Sequence, residues 1–115
     1  MKGKEIIILG IDPGTTIMGF GVIIIKGEKM NLLELNELGL RKEKDHYTKL
    51  KLIFDRTIQL IEKYNPDEIS VEAPFFGKNV QSMLKLGRAQ GVAMAAGLSR
   101  EIIIKEYSPK KIKMS

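Results

Sequence analysis

Ile6-Ile7-Ile8-Leu9-Gly10-Ile11-Asp12-Pro13-Gly14-Thr15-Thr16 is the stretch that decides the fold of this chain. Its continuous apolar run is typical of a strand that is buried on both faces. Asp12 stands where that run ends, and Pro13-Gly14 turns the chain immediately afterwards. A carboxylate at the mouth of a buried strand is costly unless something neutralises it, and a divalent cation is one such partner. Asp-Pro-Gly is also a common turn, so this stretch alone leaves both a metal ligand and a plain turn open.

The composition limits which metal ligands, partners and cellular locations are possible for this chain. Its 115 residues are enough for one domain with a modest core, which we expect to span residues 1–115. The sequence has no cysteine and a single histidine, His46, so any metal site must use oxygen ligands, which favours Mg²⁺ or Mn²⁺. A net charge of +5 is compatible with a nucleic-acid partner. The lack of cysteine suits a reducing cytoplasm, and no apolar run approaches the roughly 20 residues that cross a membrane.

The hydrophobic pattern predicts a βββαβαβ order of elements. Strands are predicted over residues 5–12, 19–25, 30–39, 68–73 and 102–107, and helices over residues 48–64 and 79–100. The first three strands should form an antiparallel meander, whereas the helix before the fourth strand implies a right-handed crossover and a parallel pairing with the first strand.

Two details of this pattern leave alternatives open. Alternation in the third strand is imperfect, since it places Leu33 and Leu35 on one face and Leu32 on the other. In the second helix, small residues recur every four positions at Gly87, Gly91 and Ala95. This stripe is expected to allow close packing against the sheet, another helix or a second subunit.

Asp12 and Glu72 end two strands that are predicted to be neighbours. Strand periodicity places Gly10 and Asp12 on one face of the first strand, and Ser70 and Glu72 on one face of the fourth. Neighbouring strands lie about 4.8 Å apart, so matching registers would bring both carboxylates to one pocket. That spacing suits a shared divalent ion or one ion of a two-metal pair.

Four segments taken together closely resemble the RuvC-type Holliday-junction resolvases, over essentially the whole chain. The matching segments are residues 8–14, 19–22, 71–79 and 84–91. The resemblance implies an α/β, RNase H-like mixed five-stranded sheet with helices on its faces. It also implies a homodimer that cuts four-way DNA junctions with magnesium in recombination and repair, and that works with branch-migration motor proteins.

The resemblance assigns roles to individual residues. Asp12 and Glu72 match two of the family's four acidic metal ligands, Phe75 matches an aromatic residue that stacks on bases where the junction opens, and Lys113 matches a lysine near the scissile phosphate. Further basic residues are expected to contact phosphates, which positions DNA without reading its sequence. They are Lys78, Lys85, Arg88, Lys110 and Lys111.

One part of the family pattern is not in this sequence. The other two acidic ligands of the family come from a later segment on a C-terminal helix, and no acidic pair follows Glu106 here. We therefore expect an N-terminal portion of a resolvase, with an incomplete metal site, an exposed apolar sheet face and a tendency to associate.

Other functions remain compatible with the same residues. Gly10 to Thr16 resembles the first phosphate loop of actin-like ATPases and sugar kinases, although a second such loop and an adenosine pocket are not visible. A non-catalytic DNA-binding module would use the same basic residues and Phe75. An RNase H-like nuclease that acts on another substrate is a third alternative, because a fold does not fix a function.

Overall fold

A computed structural model describes residues 4–73 and 79–107 of the chain. These residues form five strands and two helices in the predicted order, and no element boundary differs from the prediction by more than two residues. The elements are β1 Glu5–Asp12, β2 Ile17–Lys26, β3 Lys29–Gly39, α1 His46–Tyr64, β4 Glu68–Glu72, α2 Val80–Ser99 and β5 Ile103–Tyr107. Neither of the described helices is long and apolar enough to cross a membrane.

The sheet is mixed and has the strand order β3-β2-β1-β4-β5. β2 runs antiparallel to both β1 and β3, whereas β4 runs parallel to β1 and to β5. Strands β1, β3, β4 and β5 therefore all end at one edge of the sheet, which we call the carboxyl edge. Because α1 follows β3 and α2 follows β4, the N-terminal ends of both helices also lie at this edge.

Both helices pack on the same face of the sheet. Side chains from β1, β2 and β4 form one buried cluster with α1 and α2, which includes Leu9, Ile11, Phe20, Val22, Ile53, Leu60, Ile61, Ile69, Val71, Ala89 and Ala93. The opposite face is apolar too, but no described residue covers it: Leu32, Leu35 and Ile103 are 55%, 75% and 62% exposed. The sheet thus matches the expectation of an exposed apolar face.

Helix α1 begins two residues earlier than predicted because Asp45 caps it. The Asp45 carboxylate accepts hydrogen bonds from the backbone N–H of Thr48 at 3.0 Å and from its hydroxyl at 2.7 Å, which satisfies N–H groups that the first turn leaves free. At the other end, Asn65 adopts a left-handed conformation and its N–H donates to the carbonyl oxygen of Ile61. Both ends of the crossover helix are therefore fixed by side chains or backbone that the chain itself supplies.

A β-bulge in β3 corrects the predicted faces of that strand. The pairing with β2 shifts between Val22, which faces Glu34, and Ile23, which faces Leu32. Leu33 is the extra residue of the bulge, so Leu32 lies on the same face as Leu35 rather than opposite it. The imperfect alternation of the sequence therefore marks an irregular register between two strands.

The small-residue stripe of α2 faces away from the sheet. Gly87, Gly91 and Ala95 are exposed, and the sheet contacts the side of the helix that carries Ala89, Ala93 and Gly97 instead. A Cβ atom on Gly97 would lie 2.5 Å from Cδ1 of Ile69. Close helix–sheet packing therefore depends on Gly97, and the stripe remains available for another helix or a second subunit.

Candidate active site

Two carboxylates meet at the carboxyl edge, between the central strands. Gly10 is paired with Ser70 and Ile11 with Val71, and continuing this register by one residue brings Asp12 beside Glu72. Burial raises the pKa of Glu72, and the charge of Asp12 and a hydrogen bond between the two carboxyl groups raise it further. The pair therefore favours a shared proton or a bound cation over two bare negative charges.

The two carboxylates open into a cavity of about 680 Å³ on the uncovered face of the sheet. Three glycines, Gly10, Gly19 and Gly21, leave part of its floor without side chains. The side chains around this floor belong to Asp12, Leu35, Glu37, Ser70, Glu72 and Tyr107. The cavity therefore combines carboxylate oxygens with a wide, shallow approach along glycine backbone.

The two carboxylates belong to a row of residues that crosses the whole sheet. Asp12 is paired with Gly19, which is paired in turn with Glu37 on β3. On the other side, Glu72 is paired with Tyr107 on β5. Sequence reasoning did not assign Gly19, Glu37 or Tyr107 to the site. Glycine at both positions 19 and 21 could have indicated a strand face without side chains. Glu37 and Tyr107 join the row only through the pairing of β3 with β2 and of β5 with β4.

The turn that follows Asp12 is compact and tethered at two points. A Cβ atom on Gly14 would lie 2.1 Å from the carbonyl oxygen of Ile17, so only glycine fits there. The backbone N–H of Leu40 donates to the carbonyl oxygen of Thr16 at 2.8 Å. From α1, Nζ of Lys49 donates to the carbonyl oxygen of Thr15 at 3.2 Å. The end of β3 and the start of α1 together hold this turn.

The donor set suits a hard divalent cation, which is the kind of group the sequence predicts here. Adjacent carboxylates supply oxygen ligands of the type that Mg²⁺ and Mn²⁺ prefer. The pKa of Glu72 is raised by burial first and by the charge of Asp12 second, and a cation would offset the second of these effects. Within residues 4–73 and 79–107, no group of three or more Asp, Glu or His side chains is arranged to hold a metal. Asp12 and Glu72 are the two carboxylates of the described residues that meet at this point of the carboxyl edge.

The predicted DNA-contacting residues separate into two groups. Lys85 and Arg88 are exposed on the N-terminal half of α2, near the carboxyl edge but outside the lining of the cavity. Their charges act on His46, whose pKa is lowered by burial first and then by the charges of Arg88, Lys85 and Lys49. His46 is therefore neutral at neutral pH. Phe75, Lys78, Lys110, Lys111 and Lys113 lie outside the described residues.

Comparisons with known proteins agree with one another. Residues 8–115 match the family model described as crossover junction endodeoxyribonuclease RuvC. A protein of that name from Christiangramia forsetii is 75% identical over 112 residues, which are 97% of this chain. A relative from Bacteroides fragilis with the same name is 62% identical, also over 97% of this chain. The chain spans only 58% and 60% of the lengths of these two relatives.

A solved structure shares the fold. The Thermus thermophilus protein in complex with a Holliday junction substrate superposes with a TM-score of 0.87 at 25% identity. The match covers 94% of this chain and 69% of the Thermus chain. The predicted RNase H-like mixed sheet is thereby confirmed.

Proposed function

Because this chain belongs to the RuvC family of crossover junction endodeoxyribonucleases, we propose that it carries the central part of the active site of a junction-resolving nuclease. The reaction would be paired, symmetric nicking of a four-way DNA junction in recombination and repair. The observation that carries this proposal is the meeting of Asp12 and Glu72 at the mouth of the cavity. The lack of cysteine fits the cytoplasmic location that we propose for it.

In the proposed site, Asp12 and Glu72 hold Mg²⁺, or Mn²⁺ in its place. The chemistry that a divalent cation supplies when bound between carboxylates is Lewis-acid stabilisation of a phosphate and a lowered pKa of a bound water. The glycine floor lets a DNA backbone approach the carboxylates without a side chain in the way. Lys113 offsets the charge that develops on the scissile phosphate, and Phe75 stacks on a base at the opened junction.

The remaining acidic ligands are proposed to come from a segment outside this sequence. The relatives are longer than this chain, and the family resemblance places two further carboxylates in their later residues. The cavity supports this arrangement, because the glycines of its floor leave space beside Asp12 for side chains of a further segment. Leu35 gives this space an apolar wall. Two carboxylates alone would hold Mg²⁺ weakly, since the ion requires near-octahedral oxygen coordination.

Partners follow from the symmetry of the substrate. Two copies related by a two-fold axis would cut two strands symmetrically, and the exposed stripe of Gly87, Gly91 and Ala95 on α2 supports a close helix–helix contact between them. Lys85 and Arg88 lie on the exposed side of the same helix and would contact phosphates, as would Lys78, Lys110 and Lys111. Branch-migration motor proteins are proposed as further partners on the family resemblance alone.

A paired gel assay tests the function. This chain and a version extended by the C-terminal segment of the family are each incubated with a four-way junction and Mg²⁺. We expect the extended protein to cut, its Asp12→Asn variant to bind the junction without cutting, and its Asp55→Asn variant to behave as the unaltered protein. Asp55 is a matched control because it is a surface carboxylate on α1 that pairs with Lys51. Retained cutting by Asp12→Asn would exclude Asp12 as a metal ligand.

A second candidate is a non-catalytic junction-binding module. It is favoured by the ligand count, because the described residues contain no cluster of three potential ligands. Binding without cutting by both the short and the extended protein would favour this candidate. If the 115-residue chain cuts by itself, further carboxylates are not required.

A further inference from the structure

The turn between β1 and β2 begins directly after Asp12, which is the last residue of β1. It leads directly from Asp12 through Pro13 and Gly14, and Pro13 fixes one of the backbone dihedrals. Only Pro13 and Gly14 separate Thr15 from Asp12, so we expect a displacement at Thr15 to change the position of Asp12. A side chain that holds Thr15 therefore also acts on the position of the carboxylate.

Lys49 is the side chain that holds this turn. Its ammonium donates to the carbonyl oxygen of Thr15 at 3.2 Å, from the first part of α1. The next residue on the helix, Leu50, packs against the core, so Lys49 has a rigid base. No carboxylate of the described residues forms an ion pair with Lys49. Its hydrogen bond to the turn is therefore not in competition with a salt bridge.

Lys51, on the same helix, differs from Lys49 in both exposure and contacts. It lies two residues later, is 74% exposed, and pairs with Asp55 one turn along α1 at 2.8 Å. Lys49 is half-buried instead, and it reaches back across 34 residues of sequence to the turn. The two lysines share charge, length and helix, but only Lys49 contacts the Asp12 turn.

We propose that Lys49 is a positioning residue for the metal site: it fixes the Asp12 turn so that the Asp12 carboxylate stands against Glu72. This inference rests on the proposed function, because it assigns Lys49 a role in the same site. Lys49 acts through the backbone of Thr15. Groups that are hydrogen-bonded to a metal ligand typically change metal affinity by about 10–100-fold when they are replaced. Because Lys49 acts one step further away, through the backbone of Thr15, we expect the lower end of that range.

The test compares three variants of this chain by two measurements. Lys49→Met removes the donor and keeps the length of the side chain, Lys49→Arg retains donors and charge, and Lys51→Met removes a lysine that does not touch the turn. The first measurement is amide hydrogen exchange of Thr15, Thr16 and Ile17 without metal. The second is the affinity for Mn²⁺ alone, followed by its paramagnetic signal.

We expect Lys49→Met to speed amide exchange in the turn and to weaken Mn²⁺ binding by about tenfold. Lys49→Arg should restore most of both properties, and Lys51→Met should change neither. Unchanged exchange in Lys49→Met would overturn the proposal, and so would faster exchange with unchanged Mn²⁺ affinity. If the unaltered chain binds too little Mn²⁺ to measure, as expected for two carboxylates alone, the three affinities are compared in the extended protein of the gel assay. Absence of Mn²⁺ binding there would contradict the metal site of the proposed function, whereas the exchange rates still decide whether Lys49 fixes the turn.

Discussion

Gly10 of β1 and Ser70 of β4 are directly paired, and this register brings Asp12 and Glu72 together two residues further along the strands. The contact raises the pKa of Glu72, through burial first and the Asp12 charge second. A carboxyl group whose pKa is raised by folding stabilises the folded state below its ordinary pKa. This contribution is lost as the pH rises through the raised value.

Glu72→Gln should therefore change how stability depends on pH in the absence of metal. The ordinary pKa of a glutamate carboxyl group is 4.5. As the pH rises from this value to neutral, we expect the free energy of unfolding of the unaltered chain to fall relative to that of Glu72→Gln. Urea unfolding at a series of pH values measures the difference. Mg²⁺ at a concentration high enough to occupy this incomplete site should stabilise the unaltered chain more than Glu72→Gln. Parallel pH profiles for the two proteins would contradict the contact between the carboxylates.

Tyr64→Phe should weaken a stabilising contribution with the opposite pH dependence. The hydroxyl of Tyr64 donates to Glu34, and this hydrogen bond is the largest of the causes that lower the pKa of Glu34 from 4.5 to about 2. The resulting stability is present above pH 4.5 and is lost as the pH falls towards about 2.

The measurement for Tyr64→Phe is the free energy of unfolding between neutral and acid pH. We expect a smaller loss on acidification in the variant than in the unaltered chain. Tyr47→Phe is the matched control, because Tyr47 is 72% exposed and also loses only a hydroxyl. Equal acid sensitivity of Tyr64→Phe and Tyr47→Phe would show that the bond to Glu34 does not stabilise the fold.

Gly97→Ala should destabilise the protein by overpacking the contact between α2 and the sheet. The new Cβ atom would lie 2.5 Å from Cδ1 of Ile69 and 2.9 Å from Cδ1 of Ile104, and overpacking of this kind costs about 1–3 kcal/mol. Ile69→Val removes one of these two atoms. The loss of unfolding free energy in the double variant should therefore be about 1 kcal/mol smaller than the sum of the losses in the two single variants.

The control for Gly97 is Gly87 on the same helix. A Cβ atom on Gly87 meets nothing within 4 Å, so Gly87→Ala should raise the free energy of unfolding by about 0.5–1 kcal/mol through helix propensity. Denaturant unfolding of both variants checks the pair of expectations. A stabilising effect at both positions would mean that Gly97 is not closely packed.

Leu32→Lys should reduce the tendency of this chain to associate. Leu32 is 55% exposed on the uncovered face of the sheet, where contiguous apolar surface favours contact between copies. A lysine there places a charge in the middle of that surface. Sedimentation over a range of concentrations measures the change, and Tyr47→Lys on α1 controls for added charge. Equal effects of the two substitutions would show that the uncovered face does not drive association.

Much of the fold could be predicted from local patterns. The order of elements was predicted from the apolar run before Asp12, the crossover helix and the strand before Glu72. The two-residue period of strands then placed Asp12 and Glu72 on one face of the sheet. Each of these features follows from a local periodicity or from the general rule that a crossover helix joins parallel strands, so a single sequence carries them.

Features that depend on the exact register between strands or on side-chain packing could not be predicted. The bulge at Leu33 is a property of the pairing with β2, and Glu37 and Tyr107 reach the site only through the registers of β3 and β5. The stripe of α2 was ambiguous because small residues lie on two sides of that helix, and only contact with Ile69 distinguishes Gly97 from Gly87. The bond from Lys49 to Thr15 likewise needs the helix in its final place.

β1 lies between β2, which follows it directly in the sequence, and β4, which is distant in the sequence. This position has a consequence for assembly of the site. β1 and β2 are joined by a short turn, whereas β4 reaches β1 only after α1 has crossed the sheet. A partly opened state that loses only the β1–β4 pairing keeps the β1–β2–β3 meander but separates Asp12 from Glu72. Cation binding between these carboxylates would therefore report on closure of the β1–β4 pairing, which joins the two halves of the described sheet.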